Sequence, residues 1–357
     1  MARTMRRAVV RGAFRAGLFH FLWATRKRLG APGRFLILAY HRIGWPGHSG
    51  APGCVSPALF AAHLRLLRRY FAVVSLDRLC EALAAGTLPH ADAVAVTLDD
   101  GYADAFSAAY PILRAHRIPA TIFLPTRFID DAAPLWWDRV AFLVAAGSTV
   151  TRSADPNNRF RRAWLLELPD SAYPAAVRAG LRRAFAGSAS ALAGVIAALK
   201  SMPHATATGL VDDLTERLRC LGIAVDQRAE ALTWDQARIM ADSGLIDFGA
   251  HTVTHAILTR MPPEQAEAEV RESRRVIEAR LGRTVRHFAY PNGRHADYSP
   301  AIQTLVRAAG YASAATSVPG ANRGPHDLFA LRRLTVGDEP AAVLALRLTV
   351  LSSRWVP

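Results

Sequence analysis

The feature that most constrains the fold is a series of short, almost continuously apolar segments bounded by turn residues. We predict strands at seven of them: Phe35–Tyr40, Ala93–Leu98, Ala120–Leu124, Ile246–Ala250, Val285–Tyr290, Tyr311–Thr316 and Leu331–Val336. Strands that are apolar on both faces are typical of a parallel sheet covered by helices. Because helical stretches lie between them, the pattern favours an α/β fold, and about seven such units favour a (β/α) barrel, complete or incomplete, over an open doubly wound sheet.

The alternation of strands and helices is interrupted between residues 131 and 234. This stretch is rich in Ala, Leu and Arg and carries helical patterns at Leu135–Ala146, Arg161–Leu166, Ala175–Phe185 and Leu210–Leu221. We interpret residues 131–234 as a helical insertion between two strands of one domain that covers residues 34–357. Residues 1–33 precede that domain as a basic arm or an amphipathic helix.

The charge of the chain is unevenly distributed. The 357 residues carry a formal net charge of +15. Of the 44 Lys and Arg residues, 13 lie among the first 76 residues, which contain no Asp or Glu, and the remaining 31 nearly balance the 29 acidic residues. The excess therefore belongs to the N-terminal segment, and we expect no nucleic-acid partner.

Residues 1–30 alternate basic and apolar side chains, and two interpretations of this segment remain open. It forms either a basic amphipathic helix in peripheral contact with an anionic membrane or a solvated arm. No apolar run reaches the roughly 20 residues that span a bilayer, and no cleavable signal peptide is evident. We expect a protein of the bacterial cytoplasm or of the inner face of the cytoplasmic membrane.

Two polar clusters follow predicted strands. Asp99 and Asp100 come directly after the strand that ends at Leu98, and His251 and His255 follow another strand. The carboxyl ends of parallel strands meet at one edge of a barrel, where active sites are built. Four residues apart on a helical turn, the two histidines would share a face, and an Asp would complete the three protein ligands of a catalytic zinc-type site. Taken singly, each cluster also fits an ordinary turn or chance spacing.

A third segment, Phe288–Gly293, reads Phe-Ala-Tyr-Pro-Asn-Gly and again joins an apolar strand to a rigid turn. It is either a simple Pro-Asn-Gly turn or a loop whose backbone N–H groups face an oxyanion that develops during a reaction.

Together the three segments resemble the motifs of the polysaccharide deacetylases, the proteins with a NodB homology domain that form carbohydrate esterase family 4. Thr97–Gly101, His251–His255 and Phe288–Gly293 are similar to the first, second and third motif, in that order. Ala39–Arg42 resembles a Tyr-His strand end of members that act on exported or precursor polysaccharides. The resemblance covers about residues 35–336 apart from the insertion, and it implies the distorted (β/α) barrel of the family.

The resemblance also implies roles for individual residues. Asp99 would be the general base, and Asp100, His251 and His255 would bind a divalent metal ion. Zn²⁺ suits this ligand set best, with Ni²⁺ or Co²⁺ as alternatives. The ion would lower the pKa of a bound water for attack on an N-acetyl carbonyl.

A substrate groove is implied as well. Tyr290, Pro291, Asn292 and Gly293 would line it together with Tyr102. A backbone N–H near Tyr290 would hold the oxyanion.

The sequence departs from the family pattern at two points. Many members carry a Leu-x-His near the C-terminus as general acid, but no histidine follows Leu331. His41 is our candidate for the acid, ahead of three other histidines: His287, His295 and His326. The arginine that many members place in the third motif corresponds to Ala289, and either Arg332, our candidate, or Arg333 would reach the base instead.

We therefore expect a metal-dependent hydrolase that removes N-acetyl groups from the amino sugars of a polysaccharide or of its lipid-linked precursor. The alternative is a non-catalytic protein on the same fold that binds glycans or serves as a membrane-associated scaffold. Its support is the missing histidine near the C-terminus.

Overall fold

The computed structural model describes residues 12, 14, 17–28, 33–44, 54–87, 92–156, 158–169, 172–225, 230–323 and 327–351. Within these ranges the fold is a curled parallel sheet surrounded by helices. The eight strands of the sheet are β1 (Phe35–Tyr40), β4 (Ala72–Val73), β5 (Ala93–Leu98), β6 (Ala120–Leu124), β7 (Ile246–Ala250), β8 (His287–Ala289), β9 (Ser313–Ala315) and β10 (Leu334–Thr335). A separate parallel pair is formed by β2 (Arg42–Ile43) and β3 (Cys54–Val55).

The strand order is β10-β1-β5-β6-β7-β8-β9, and β4 pairs with the first residues of β5. Every ladder of the main sheet is parallel. A parallel bridge between Ala315 and Leu331 brings the segment that leads into β10 alongside β9. The sheet therefore curls into an almost closed barrel, and the predicted α/β barrel class is confirmed.

The first four predicted strands match the structure residue for residue, whereas the last three are shorter than predicted. The helices are α1 (Leu18–Arg28), α2 (Pro57–Tyr70), α3 (Leu76–Ala84), α4 (Tyr110–His116), α5 (Thr126–Asp131), α6 (Trp136–Thr151), α7 (Asn158–Leu166), α8 (Ala175–Phe185), α9 (Ala189–Lys200), α10 (His204–Cys220), α11 (Trp234–Asp242), α12 (Pro263–Leu281), α13 (Pro300–Ala308) and α14 (Ala341–Val350). A π-helical turn covers Ala105–Ala109, and a 3₁₀ turn covers Leu258–Arg260.

Residues of one strand face two different cores, because side chains alternate across a sheet. In β5, Ala95 lies inside the barrel, where it packs with Phe123 of β6 and Ala289 of β8. Its neighbours Val94 and Val96 pack outward against the surrounding helices. Since both sets are apolar, the strand reads as a continuous apolar run.

Helix α3 closes the amino end of the barrel. Its residues Leu76, Leu79 and Leu83 are buried in the same interior cluster as Ala95. The side chain of Ser75 caps the first turn by accepting a hydrogen bond from the N–H of Arg78 at 3.3 Å. Because the amino end is filled in this way, access to the barrel is from the carboxyl ends of the strands.

The insertion lies between β6 and β7, which are neighbours in the sheet. Helices α6 to α10 occupy it and share a hydrophobic core of their own, which includes Leu143, Phe185 and Leu214. Because β6 and β7 still pair directly, the insertion adds a helical lobe without separating the strands on which the motifs lie.

Helix α1 packs on the outside of the barrel, near the end of α2. The ring of Trp23 lies 4.4 Å from that of Tyr70 and 5.3 Å from that of Phe71, between centroids. Phe19 is buried, while Leu18 and Phe21 are exposed. The predicted basic residues before Gly17 lie outside the described residues, as does His326. No helix in the described parts of the chain is both long and apolar enough to cross a bilayer.

An ion pair between the half-buried Asp77 and the buried His287 joins helix α3 to the barrel interior. The Nε2 of His287 lies 2.9 Å from Asp77 Oδ1, and its Nδ1 lies 2.8 Å from the hydroxyl of Ser313. Burial alone would lower the pKa of His287, but the bond to Asp77 outweighs it and raises this pKa to about 9. The protonated ring is therefore the form that the fold stabilises.

This pair predicts a pH-dependent stability. Because the pKa of His287 is about 9 in the folded chain and about 6.5 when unfolded, the pair should stabilise fully below pH 6.5, by up to about 3 kcal/mol, and lose this contribution as the pH rises through 9. Denaturant unfolding of the wild type and of Asp77→Asn should show a difference that shrinks over this range. An Arg286→Gln control removes the second partner of Asp77 without this dependence; a difference that stays constant from pH 6 to 9.5 would contradict the assignment.

Candidate functional site

The first motif turns sharply at the end of β5. Asp100 has a φ of +75° and Gly101 a φ of +68°, so two successive residues are left-handed. Such a conformation is uncommon for an aspartate and marks a backbone held by its surroundings. At Gly101 an added Cβ would lie 2.7 Å from Leu124 Cδ2, so glycine is required there. By the alternation of β5, Asp99 points into the mouth of the barrel, and the turn places Asp100 beside it.

The second motif is not the helical turn that its spacing predicts. His251 to His255 form a loop in which Thr252 has a φ of +64° and His255 a φ of +57°. Glu269 of α12 holds this loop, since its carboxylate accepts from the N–H of Val253 at 2.8 Å and of Thr254 at 2.9 Å. The two rings are therefore brought together by a strained loop and not by the helical period.

Asp100, His251 and His255 offer ligand atoms that all lie within 4.8 Å of one another, and all three side chains are buried. From Asp100 Oδ1, the Nε2 of His255 lies at 3.2 Å and the Nε2 of His251 at 3.6 Å. No other group of three or more His, Cys, Asp or Glu residues with this proximity occurs in the described ranges. One carboxylate and two imidazoles suit a divalent transition metal ion such as zinc.

The protonation states of this cluster also fit a metal ion. The Nδ1 of His251 lies 2.7 Å from the carbonyl oxygen of Ala289; a carbonyl only accepts, so Nδ1 carries the proton and Nε2 presents its lone pair. Burial and the neighbouring His255 lower the pKa of His251 to about 4. Although burial raises the pKa of Asp100, the hydrogen bond to His255 outweighs this and lowers it. A neutral imidazole and an ionised carboxylate are the forms that bind metal.

Asp99 has a different partner. Arg333, which is fully buried, donates to both carboxylate oxygens of Asp99, at 2.7 Å and 2.8 Å. Its Nε donates to the carbonyl of Thr316 at 2.8 Å, and a further bond of 3.2 Å reaches the hydroxyl of Thr97. Burial raises the pKa of Asp99, but the charge of Arg333 outweighs it, so this pKa is lowered. Different neighbours thus stabilise the ionised forms of the two adjacent aspartates.

The contact with Asp99 corrects one of our sequence predictions. The sequence prediction places Arg332 at the base, with Arg333 as the alternative. In the structure Arg332 is exposed and packs over Gly320, while Arg333 points inward. Arg332 and Arg333 are neighbours in the chain segment that closes the barrel, and their side chains face opposite sides. A shift of one residue therefore decides which arginine points into the barrel.

His41 follows β1 directly and lies at the rim of the same site. Its Nε2 is 3.9 Å from Asp99 Oδ2, and 34% of its side chain is exposed. The other histidines are placed differently: His287 is paired with Asp77 beside helix α3, and His295 is exposed next to Tyr298. Of the histidine candidates in the described residues, only His41 faces Asp99.

The third motif forms the predicted turn, with Asn292 at a φ of +63° and Gly293 at +61°. Its predicted role as a source of oxyanion-binding N–H groups is not supported at two positions. The N–H of Tyr290 donates to the carbonyl of Ala315 at 3.0 Å, and the N–H of Gly293 donates to that of Pro291 at 2.7 Å. These two donors are therefore used within the fold.

Two tyrosines predicted to bind substrate are buried. The hydroxyl of Tyr290 donates to the carbonyl of Phe329 at 3.0 Å, and that of Tyr102 donates to Asp138 at 2.8 Å. Arg42 also covers the ring of Tyr102, 4.3 Å from its centre. Both side chains thus support the site from behind. The side chain of Asn292 meets the insertion as that of Tyr102 does, since it accepts from Lys200 at 3.0 Å.

The insertion contributes residues that the motifs did not indicate. The ring of Trp137 lies 4.3 Å from that of His255, and its Nε1 donates to Tyr102 at 3.3 Å. Asp138 is half-buried beside them, and its burial raises its pKa to about 6. Helical periodicity within residues 131–234 could show that Trp137 is on an inner face, but it could not show that this face meets the barrel.

The family profile for polysaccharide deacetylases matches residues 88–153 and 212–314. These ranges contain the aspartate pair, both histidines of the cluster and the third motif. The chain belongs to the polysaccharide deacetylase family. This is a family of hydrolases that act on amide bonds, and its match omits residues 154–211, which hold helices α7, α8 and α9 of the insertion.

Known proteins agree with this membership. The Bacillus subtilis (strain 168) protein YxkH is 29% identical over 105 residues, which cover 29% of this chain and 36% of YxkH; the chain thus matches about a third of that relative. The deacetylase PplD of Streptococcus pyogenes, solved in complex with acetate, is 19% identical with a TM-score of 0.56, over 89% of this chain and 99% of PplD. IcaB from Ammonifex degensii is 17% identical with a TM-score of 0.54, over 88% and 97%. These two structures show the same barrel fold.

The bond between Arg333 and Asp99 leads to a stability prediction. Arg333→Met should leave the buried Asp99 carboxylate without its cation and lower the free energy of unfolding at pH 7 by about 3–5 kcal/mol. Adding Asp99→Asn to this variant should recover part of the loss, because no charge is then left unpaired. Denaturant unfolding of the four proteins of this double-mutant cycle measures the coupling. Independent, additive effects of the two substitutions would show that the pair does not act as described.

Proposed function

We propose that the protein is a metal-dependent deacetylase that removes N-acetyl groups from the amino sugars of a polysaccharide or of its lipid-linked precursor. The observation that supports it best is the division between two neighbouring carboxylates. Asp100 lies among two imidazoles suited to a metal ion, and Asp99 lies against an arginine. Adjacent carboxylates in different environments can take different roles in one reaction.

In this proposal Asp100, His251 and His255 hold a divalent ion, with Zn²⁺ favoured and Ni²⁺ or Co²⁺ as alternatives. When bound, such an ion supplies Lewis-acid chemistry, by acidifying water and polarising the acyl oxygen. The hydrogen bond from His251 Nδ1 to Ala289 orients one ligand ring, and the carboxylate of Glu269 fixes the loop that carries both rings.

Asp99 is the proposed general base, which accepts the proton of the attacking water. Arg333 keeps Asp99 ionised and fixes the plane of its carboxylate through two parallel hydrogen bonds. The arginine thus takes the part that the family pattern assigns to a residue of the third motif, from a different position of the chain.

His41 is the proposed general acid, which donates a proton to the leaving amine nitrogen. Its support is position: it lies on the open side of the site, and its Nε2 lies 3.9 Å from Asp99. Hydrolysis of an amide requires a base that accepts a proton from the attacking water and an acid that protonates the leaving nitrogen. The products are acetate and a free amine on the sugar.

The alternative of a glycan-binding or scaffold protein on the same fold predicts binding of acetylated glycans without release of acetate. The buried ion pair of Asp99 favours the enzyme. Binding of a glycan alone does not require an ionised carboxylate at the mouth of the barrel, whereas proton transfer does. Turnover by the wild-type chain distinguishes the two.

The decisive experiment measures metal binding and acetate release together. Wild-type protein with Zn²⁺ should release acetate from N-acetylglucosamine oligomers or lipid-linked glycans. Asp99→Asn and His41→Gln should bind Zn²⁺ in calorimetry but lose about 10²- to 10⁴-fold in kcat, because each lacks a proton-transfer group. His251→Gln should lose both Zn²⁺ binding and activity. His295→Gln, at an exposed histidine, is the control that should retain both, and full activity in Asp99→Asn would defeat the assignment.

We also propose that helix α1 brings the protein to an anionic membrane. The described part of the chain exposes six large hydrophobic side chains, and four of them lie on α1 or at the end of α14: Leu18, Phe21, Leu22 and Val350. The surrounding N-terminal sequence is basic and contains no acidic residue before Asp77. Apolar side chains within basic sequence are typical of helices that lie in the interface of an anionic bilayer.

Vesicle binding tests this membrane contact. Phe21→Glu combined with Leu22→Glu should reduce co-sedimentation with phosphatidylglycerol-containing vesicles several-fold, since it removes apolar area and adds negative charge. Removal of residues 1–30 should abolish it. Phe160→Glu is a matched control, because Phe160 is equally exposed but lies on the insertion. Equal pelleting of all four proteins would refute the membrane contact.

A further inference from the structure

The helical insertion meets the barrel beside the candidate metal site, and cationic side chains line the junction. A shallow cleft, open to solvent, lies there. Trp136, Lys200 and His204 line it from the insertion, and Arg260 lines it from the 3₁₀ turn after β7. We call this cleft, with its two cations Lys200 and Arg260, the seam cleft.

Lys200 is the last residue of α9, and its ammonium group points toward the site. The Nζ donates to Asn292 Oδ1 at 3.0 Å and lies 6.0 Å from the ring centre of Trp137. That ring in turn lies 4.3 Å from the ring of His255. One indole ring therefore separates the ammonium from a candidate metal ligand. A substituent on the bound sugar, or on the next sugar of the glycan, can span that separation.

Neither cation of the seam cleft has an acidic partner. No carboxylate of the described residues lies within 4.0 Å of Lys200 Nζ or of the Arg260 guanidinium. The Nε of Arg260 is buried without a hydrogen-bond partner. The side chain of Lys200 is half-buried, and this burial lowers the pKa of its ammonium group. A half-buried cation without an anion is unfavourable unless a ligand supplies the anion.

The carboxylates nearest the cleft are already engaged. Asp297 accepts from Asn292 Nδ2 at 2.6 Å and from the N–H of Arg294 at 3.0 Å. Glu269 accepts from the N–H groups of the His251–His255 loop, and Asp100 belongs to the candidate metal site. A divalent ion at that site would add positive charge to this surface. The lining of the cleft itself contains Lys200 and Arg260 but no carboxylate among the described residues.

We propose that Lys200 and Arg260 form an anion subsite that selects glycans with a carboxylate or phosphate group close to the N-acetyl group that is removed. The inference rests on the proposed deacetylase function and names its substrate class. Lys200 comes from the part of the insertion that the family profile does not match, whereas Arg260 comes from the matched part of the barrel. The alternative is a purely structural Lys200 that ties α9 to the third motif through Asn292.

Kinetics on paired substrates test the subsite. The probes are neutral N-acetylglucosamine oligomers, oligomers in which N-acetylglucosamine alternates with glucuronate, and phosphoryl-substituted N-acetylglucosamine oligomers. Wild-type kcat/KM should be at least about tenfold higher for one or both acidic series, as a charge-assisted hydrogen bond would give. The series that is preferred identifies carboxylate or phosphate as the anion. Lys200→Met and Arg260→Gln should each reduce that preference, and Lys200→Arg should retain most of it.

Two further measurements separate specificity from structure. Arg183→Gln, at an exposed arginine of α8, should keep the wild-type preference. In the Asp99→Asn background, which holds substrate without turnover, Lys200→Met should weaken calorimetric binding of the acidic oligomers more than that of the neutral ones. A structural Lys200 would lower both affinities equally and lower the melting temperature.

The outcomes are distinguishable from failure of the proposed function. Equal kcat/KM for neutral and acidic oligomers in an active wild type, or a preference unchanged by both Lys200→Met and Arg260→Gln, overturns the subsite alone. If no glycan releases acetate, the deacetylase proposal fails, and equal binding of neutral and acidic oligomers to the Asp99→Asn protein then overturns the subsite as well.

Discussion

The buried bond between Arg333 and Asp99 is the constraint on which the rest of the structure depends. It joins the segment that closes the barrel to the central strand β5, and the same guanidinium also reaches Thr316 and Thr97. A charge that is buried away from water is stable only when enough hydrogen-bond partners surround it with the correct geometry. The barrel therefore closes in the one arrangement that completes this set, and the same arrangement orients the carboxylate beside the histidine cluster.

Much of the fold could be predicted from local pattern, because strands buried on both faces are visible as apolar runs. The four strands β1, β5, β6 and β7 were predicted to the residue, while β8 and β9 were overextended, since the apolar side chains of Val285 and Tyr311 pack outside the ladder. Short strands such as β4 have too few residues to show a pattern. Sequence thus predicts elements that carry their own burial signal and misses those defined only by a neighbour.

At the site, the sequence predicted which residue types come together better than it predicted the geometry that brings them together. The Asp and His residues of the cluster were identified by their spacing after strands, yet the two histidines meet through left-handed residues at positions 252 and 255 and not through a helix. The choice between Arg332 and Arg333 depended on which side of the chain faces inward. The positions of Trp137 and Lys200 beside the site could not be predicted, because they arise from the packing of the insertion against a loop that lies far away in sequence.

The position of helix α1 has a consequence for how the barrel would face its surroundings. The helix packs near Tyr70 and Phe71, where α2 leads into β4 at the amino end of the sheet, whereas Asp99 and His251 follow the carboxyl ends of β5 and β7. A six-residue strand is about 20 Å long, so the height of the barrel separates the two. On a membrane-bound molecule the catalytic mouth would open away from the lipid headgroups. Such an orientation suits sugars that stand well clear of the bilayer on a growing chain, and it disfavours the first sugar next to a lipid anchor.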